Sequence, residues 1–203
     1  MIGILDYGAG NLRSVAKAIE AIGERPLVTS DPDAIADADG LVVPGQGSAV
    51  DAMRNLERLR LVEPIRRYVR SGRPLLGVCL GEQIIFDSSE EGGGVTCLGL
   101  VAGTCRRLPG GQKVPQMGWN SVHTRAEHPL LDGIPDGSYF YFVHSYYVDP
   151  SDPSVVVGET DYGVTFASIV SAGNVFATQF HPEKSADLGL RIYANFLKHA
   201  LGE

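Results

Sequence analysis

Short, wholly apolar runs alternate with amphipathic stretches over the first eighty positions of the chain. Ile2 to Tyr7 predicts a buried strand, and beyond Gly8-Ala9-Gly10 the residues Leu12, Val15, Ala16 and Ile19 recur at helical spacing behind Asn11, a candidate N-cap. Pro26 to Thr29 predicts a second strand and Leu41 to Val43 a third, which stops at Pro44-Gly45-Gln46-Gly47. Ala49 to Arg70 predicts helix with a break at Pro64, where the ring removes a donor, and Leu75 to Val78 predicts a fourth strand. Strands that are apolar throughout rather than at alternate positions, separated by helices, require a parallel sheet covered on both faces.

Beyond about residue 95 the pattern changes to hydroxyl-bearing, aromatic and β-branched runs, such as Tyr139 to Val148, Ser154 to Val157 and Val175 to Phe180, with no helical period between them. Phe166 to Val170 and Val175 to Gln179 flank Ser171-Ala172-Gly173-Asn174, a hairpin signal with glycine and asparagine available for positive φ. A last amphipathic helix, Leu188 to Leu201, would close one face of the sheet through Leu190, Ile192, Tyr193, Phe196 and Leu197. The prediction is a three-layer α/β fold over residues 1–203 as one domain. Its central sheet is mostly parallel with helices on both faces, and the C-terminal half adds antiparallel strands. Glu90 to Gly94 and Pro109 to Gln112 read as loops.

Composition narrows the function classes. The chain has 203 residues, 44% of them apolar, and a net charge of −7. That is enough for a real core and gives no basic footprint for nucleic acid. No run approaches the ~20 apolar residues of a membrane span, and the N-terminus lacks the pattern of a signal peptide, so a cytoplasmic chain with no membrane partner is expected. Three cysteines without paired spacing suit neither a disulfide framework nor a zinc site. No metal or cofactor is expected. Gly92-Gly93-Gly94 follows no predicted strand and opens no predicted helix, which leaves phosphate binding unsupported.

The most informative segment is Gly77-Val78-Cys79-Leu80-Gly81-Glu82-Gln83, an apolar strand running into Gly-x-Cys-x-Gly and then a helical pattern. This is the form of a nucleophile elbow. The reactive residue occupies a cramped strand-to-helix turn, small residues two positions either side relieve the crowding, and the helix N-terminus favours thiolate. Cys97 and Cys105 have no such setting and read as buried apolar cysteines. A cysteine nucleophile needs a base, and the base an orienting acceptor. His181-Pro182-Glu183 offers both, because residues i and i+2 of an extended segment project to one side. His123, His128, His144 and His199 lack such a pairing. The glycines of Pro44-Gly45-Gln46-Gly47 would let that loop approach a reacting carbonyl, making it a candidate oxyanion loop together with the N–H of Leu80.

Cys79 on an elbow, His181-Pro182-Glu183 about a hundred residues later and the upstream Pro-Gly-x-Gly loop together resemble the class I (triad) glutamine amidotransferase family, over essentially the whole chain. Within it, Asp6 to Leu12, Gln116-Met117-Gly118-Trp119-Asn120 and His181 to Ser185 look like the branch that serves imidazole glycerol phosphate formation. The resemblance implies hydrolysis of the L-glutamine side-chain amide through a cysteine thioester. Ammonia would pass to a (β/α)8-barrel cyclase subunit, the partner in a heterodimer that makes imidazole glycerol phosphate for histidine biosynthesis. It also implies roles. Cys79 is nucleophile, His181 base and then acid, and Glu183 its orienter; Leu80, Gln46 and Gly47 serve the oxyanion; Gly45, Gln83, Glu91, Ser145 and Tyr146 bind glutamine; Asn11, Met117, Trp119 and Lys184 face the cyclase. Two positions depart from the family pattern: Gln46 stands where a small apolar residue is frequent, and Gln116 where histidine is common. Other readings are a glutaminase of vitamin B6 or aminobenzoate synthesis, or a non-catalytic glutamine-binding scaffold. The intact Cys, His and Glu speak against the scaffold.

Overall fold

The computed structural model describes residues 1–202. Its first part runs β1 (Ile2–Leu5), α1 (Leu12–Ala21), β2 (Pro26–Thr29), α2 (Pro32–Asp37), β3 (Gly40–Val43), α3 (Ala49–Arg58), α4 (Val62–Arg70), β4 (Leu75–Val78) and α5 (Leu80–Ile84). Then come β5 (Phe86–Ser89), β6 (Val95–Thr96), β7 (Val101–Arg107), β8 (Gln116–Thr124), β9 (Ser138–His144) and β10 (Tyr146–Pro150). The chain closes with β11 (Val156–Asp161), β12 (Thr165–Ala172), β13 (Val175–Thr178) and α6 (Ala186–Leu201).

The strands β2-β1-β3-β4-β13 pair side by side and all run parallel, which places β13, from the far end of the sequence, directly beside β4. From β13 the sheet continues antiparallel through β12, β10 and β7, after which β5 pairs parallel with β7 and β6 antiparallel with β5. A branch from β12 carries β11, β8 and β9. Neighbouring residues of the parallel strands feed opposite layers. On one side Val15 and Ile19 of α1 and Ile192, Tyr193 and Phe196 of α6 pack on Ile4, Val42, Leu76 and Phe176. On the other, Ile35 of α2, Met53 and Leu56 of α3 and Ile65 of α4 pack on Leu5, Leu41, Val43 and Leu75. Both faces of β1, β3, β4 and β13 are covered, and every residue of these four strands is buried, while the edge strand β2 stays partly exposed.

Several local expectations are corrected. The helical stretch from Ala49 breaks at Leu59 to Leu61, where Arg60 takes φ +57°, and not at Pro64; Pro64 lies in the first turn of α4, where a missing N–H costs nothing. Tyr139 to Val148 splits at Ser145, where the chain leaves the β8–β9 ladder and joins β7 and β12. The first half of Ser154 to Val157 belongs to a 3₁₀ turn, Pro153–Val155, and the strand begins at Val156. Gly92 to Gly94 do follow a strand, β5, through a 3₁₀ turn at Glu91–Gly93. In the β12–β13 hairpin only Gly173 uses positive φ; Asn174 instead donates through Nδ2 to the carbonyls of Val69 and Arg73, tying the turn to the end of α4.

Candidate active site

Three segments leave the carboxyl ends of the adjacent strands β3, β4 and β13 and converge, the place where open parallel sheets bind ligands. The first is the elbow. Cys79 has φ +55° and ψ −105°, a conformation that costs a non-glycine residue energy and is held by its surroundings. The flanking glycines are sterically required. A Cβ on Gly77 would lie 2.8 Å from the Gly81 carbonyl, and one on Gly81 would lie 1.8 Å from the Val43 oxygen. Cys79 also donates its backbone N–H to Thr178 O at 2.8 Å, locking the elbow to β13.

The second segment is Pro44 to Gly47. Gly45 is buried beneath the elbow: a Cβ there would stand 2.6 Å from both Leu80 Cβ and Tyr7 Oη. Tyr7 itself is fully buried and donates to Pro44 O at 2.7 Å, fixing the loop from below. Gln46 and Gly47 line the cavity above, whereas Gly45 supports it without lining it.

The third segment carries His181 and Glu183. His181 Nδ1 is 2.8 Å from Glu183 Oε1, and both side chains are almost completely buried. Tyr193 Oη of α6 donates to the second carboxylate oxygen at 3.3 Å. Such close packing of α6 on this turn depends on Gly189, since a Cβ there would fall 1.9 Å from Pro182 O. His181 Nε2 meets no oxygen or nitrogen and is left to the Cys79 sulfur. Burial by itself would push the His181 pKa down, but Cys79 and Glu183 together hold it well above the ordinary imidazole range. An imidazole in that position can take a proton from the thiol and return it. Cys97 and Cys105 are free and buried; burial pushes the Cys97 thiol up to about 11 and Cys105 further.

The cavity over Cys79 has a volume of about 370 Å³. Gln46, Gly47, Leu80, Gln83, Glu91, Ser145, Tyr146, His181 and Lys184, all singled out from the sequence, line it together with Cys79. Gln83 spends its amide N–H groups on Tyr146 O at 2.9 Å and Gln179 Oε1 at 3.1 Å, which leaves its Oε1 for a ligand. Glu91 is partly committed already, because its Oε2 accepts from Ala49 N at 2.6 Å at the start of α3. Leu80 opens α5, and the N–H groups of a first helical turn have no acceptor within the helix.

Residues the sequence reading set aside also belong here. His144 lines the cavity, with Nδ1 2.8 Å from Tyr146 O and Nε2 2.9 Å from the side chain of Gln116, its direct neighbour across the β8–β9 ladder. Burial pushes the His144 pKa down to about 4, so the ring is neutral and has a single N–H for the two oxygens that face it, Tyr146 O and Gln116 Oε1. Gln179, wholly buried just after β13, donates through Nε2 to Cys79 Sγ at 3.7 Å and was not read from the sequence at all. Val143 O lies 3.8 Å from the same sulfur. A glutamine two positions before His181 carries no local signal of its own; only the fold brings it to the thiol.

The remaining predicted residues cluster near the rim. Met117 is 64% and Trp119 53% exposed, on the outward face of β8 beside the exposed Tyr139 of β9, so Trp119 is not a core residue. Trp119 meets Tyr141 edge-on with ring centres 6.2 Å apart, and the Lys184 ammonium stands 5.8 Å above the Tyr141 ring. Asn11 caps α1 by accepting from Ser14 N at 3.3 Å, in a turn that packs against Gly45 through Gly10.

The family model of class-I glutamine amidotransferases matches residues 3–200. Among curated relatives, an imidazole glycerol phosphate synthase subunit HisH of Dehalococcoides mccartyi (strain CBDB1) is 52% identical over 203 residues, covering 100% of this chain and 99% of that one. A protein of the same name from Moorella thermoacetica is 50% identical over 202 residues, covering 98% and 96%. The fold is similar to that of a crystal structure of a glutamine amidotransferase, with a TM-score of 0.78 at 20% identity and 98% of each chain covered. It is also similar to PurLQS from Thermotoga maritima, with a TM-score of 0.77 at 20% identity, covering 98% of this chain and 97% of that one. At those identities the two structures speak for the fold alone.

Proposed function

This chain belongs to the class-I glutamine amidotransferase family and is a glutaminase, and on that premise we propose that it is the ammonia-supplying subunit of an imidazole glycerol phosphate synthase, with Cys79, His181 and Glu183 as its catalytic line. The observation that carries the site assignment is the continuous contact from Glu183 through His181 to a cysteine held on a strained elbow at the floor of the cavity.

The steps follow from the geometry. His181 Nε2 takes the thiol proton as Sγ attacks the side-chain amide carbon of glutamine, while Glu183 holds the ring with Nδ1 protonated. The oxyanion that forms is met by the N–H of Leu80, the outermost donor of α5, and by an N–H of the Gln46–Gly47 loop. His181 then returns its proton to the departing nitrogen and ammonia leaves. Water, deprotonated by the same ring, attacks the thioester, releases glutamate and restores the thiol. Gln83, Glu91, Ser145 and Tyr146, which line the same cavity, would take the α-ammonium and α-carboxylate of glutamine.

The partner reading rests on the names of the relatives and on the exposed Met117, Trp119 and Tyr139, an apolar and aromatic surface beside Lys184 and the cavity rim. A (β/α)8-barrel cyclase covering it would receive ammonia without loss to solvent. Near 50% identity along whole chains to subunits of this one synthase favours this pathway over vitamin B6 or aminobenzoate synthesis.

The test is glutamate release from glutamine by the purified chain, alone and with the cyclase and its nucleotide substrate. Cys79→Ala is expected to lower the stimulated rate by ~10⁴-fold or more with the melting profile retained. Full activity in that variant removes the nucleophile assignment, and a rate indifferent to the cyclase moves the chain to another pathway.

A further inference from the structure

We propose that Gln179 is a positioning residue that donates to the Cys79 sulfur in the thiolate form left when His181 takes its proton, through an amide whose orientation is set by hydrogen bonds running through Gln83 to the Tyr146 carbonyl. The proposal rests on Cys79 being the nucleophile and concerns how that sulfur is held.

The sulfur has two polar neighbours of opposite character in addition to His181. Val143 O, at 3.8 Å, can only accept, and so suits a protonated thiol. Gln179 faces the sulfur at 3.7 Å, and what it offers depends on which end of the amide is turned inward. That choice is not free. Gln179 Oε1 is occupied by the Gln83 N–H at 3.1 Å, so the amino end, a donor, is the one that meets Sγ. Gln83 is anchored in turn, because its amide also donates to Tyr146 O at 2.9 Å. Reversing the Gln179 amide would set two amino groups against each other in a fully buried site.

A donor fixed beside a sulfur stabilises the thiolate over the thiol. It also stays in place while Sγ loses its charge to the substrate carbon and regains it when the thioester is hydrolysed. Other groups act electrostatically on Cys79 from Tyr7 after β1, Glu82 on α5 and His181 after β13. None of them is changed by altering Gln179.

The experiment is the rate at which iodoacetamide alkylates Cys79 in the intact chain, followed by mass analysis of its peptide across pH, for the native chain and for Gln179→Met and Gln179→Glu. The methionine variant keeps the length and loses the donor. Its alkylation is expected to be about tenfold slower at neutral pH and to converge with the native rate at high pH. The glutamate variant, which places a carboxylate there, is expected to be slower still and covers the case in which the methionine variant does not fold. In turnover, kcat should fall about tenfold or more with KM within threefold. Superimposable alkylation profiles for the native chain and a folded variant overturn the proposal even if activity is lost, because a merely structural role would leave the profile unmoved. Alkylation needs no turnover, so failure of the nucleophile assignment, seen as activity in Cys79→Ala, remains separable from failure of this one.

Discussion

The short helix α5 stands between two buried settings that treat polar side chains in opposite ways. On the cavity side Gln83 has both amide N–H groups engaged, Gln179 accepts one of them, and His144 stands within hydrogen-bond distance of Tyr146 O and Gln116 Oε1. One residue earlier on the same helix, Glu82 is completely buried, does not line the cavity, and finds no hydrogen-bond partner for either oxygen. It lies close enough to Cys79 and Cys105 to act on both electrostatically. Burial pushes its pKa well above the ordinary carboxylate range, and the neighbouring Cys79 pushes it further. Depth is the same in both places, so depth does not decide the outcome; the supply of partners does. The satisfied wall can hold a reacting group in one geometry. The unsatisfied carboxyl is a cost to the fold.

The comparison breaks most severely where α5 itself is displaced. Gly81→Ala would drive a methyl into the Val43 carbonyl, and backbone on both sides cannot yield as a flexible side chain can. A loss of about 3 kcal/mol or more is expected, with glutaminase activity falling alongside, since α5 and the loop after β3 would separate. Gly110→Ala, which meets nothing within 4 Å, is the control. Urea unfolding of the two variants decides the matter: equal midpoints would mean that the elbow has slack the geometry denies.

A smaller effect is expected from pH on the satisfied side. His144 is neutral in the folded chain, with its pKa lowered to about 4 from an ordinary value of 6.5. Between those values the unfolded chain binds the proton and the folded chain does not. The stability His144 gives at neutral pH is therefore lost as pH falls through that window, by about 2 kcal/mol from pH 7 to pH 5. Glu82 works in the other direction, so the measurement compares the native chain with His144→Gln in urea at both pH values. Identical slopes would show that the ring titrates freely and that the cavity wall is not closed.

What could be read from the sequence divides along the same line. The parallel strands, the elbow and His181-Pro182-Glu183 depend on neighbours within a few residues: apolar runs, glycines two positions either side of Cys79, and an i, i+2 pair. Gln179 and His144 carry no such pattern. Their partners lie up to a hundred positions away, and they meet only because β13 inserts beside β4 and β9 pairs with β8. The short α2, capped by Asp31, and the strands β5 to β8 were not placed for a related reason: their half-polar sequences acquire an inner face only from elements distant in sequence that they pack or pair with. Pro64 shows the converse, a strong local breaker made harmless by falling within a first helical turn.

The finest test of the comparison removes the unsatisfied group itself. Glu82→Met fills similar volume with apolar atoms and leaves no oxygen to desolvate, so it should stabilise the chain, by roughly 1–3 kcal/mol. The gain must depend on pH. A carboxyl whose folded pKa is raised lends its protonated form most readily to the native state in acid. Above the ordinary carboxylate range the unfolded chain releases the proton and the folded chain does not, so native stability falls as pH rises toward the folded value. Methionine has no such slope. The advantage of Glu82→Met in melting temperature should therefore be larger at pH 8 than at pH 5, with glutaminase activity within threefold of the native chain, because the cavity wall is untouched. A gain that is the same at both pH values would mean that the carboxyl is charged in the folded chain and has found a partner. A loss of activity would mean that the two sides of α5 are not independent, and the boundary between the satisfied and the unsatisfied setting would have to be drawn elsewhere.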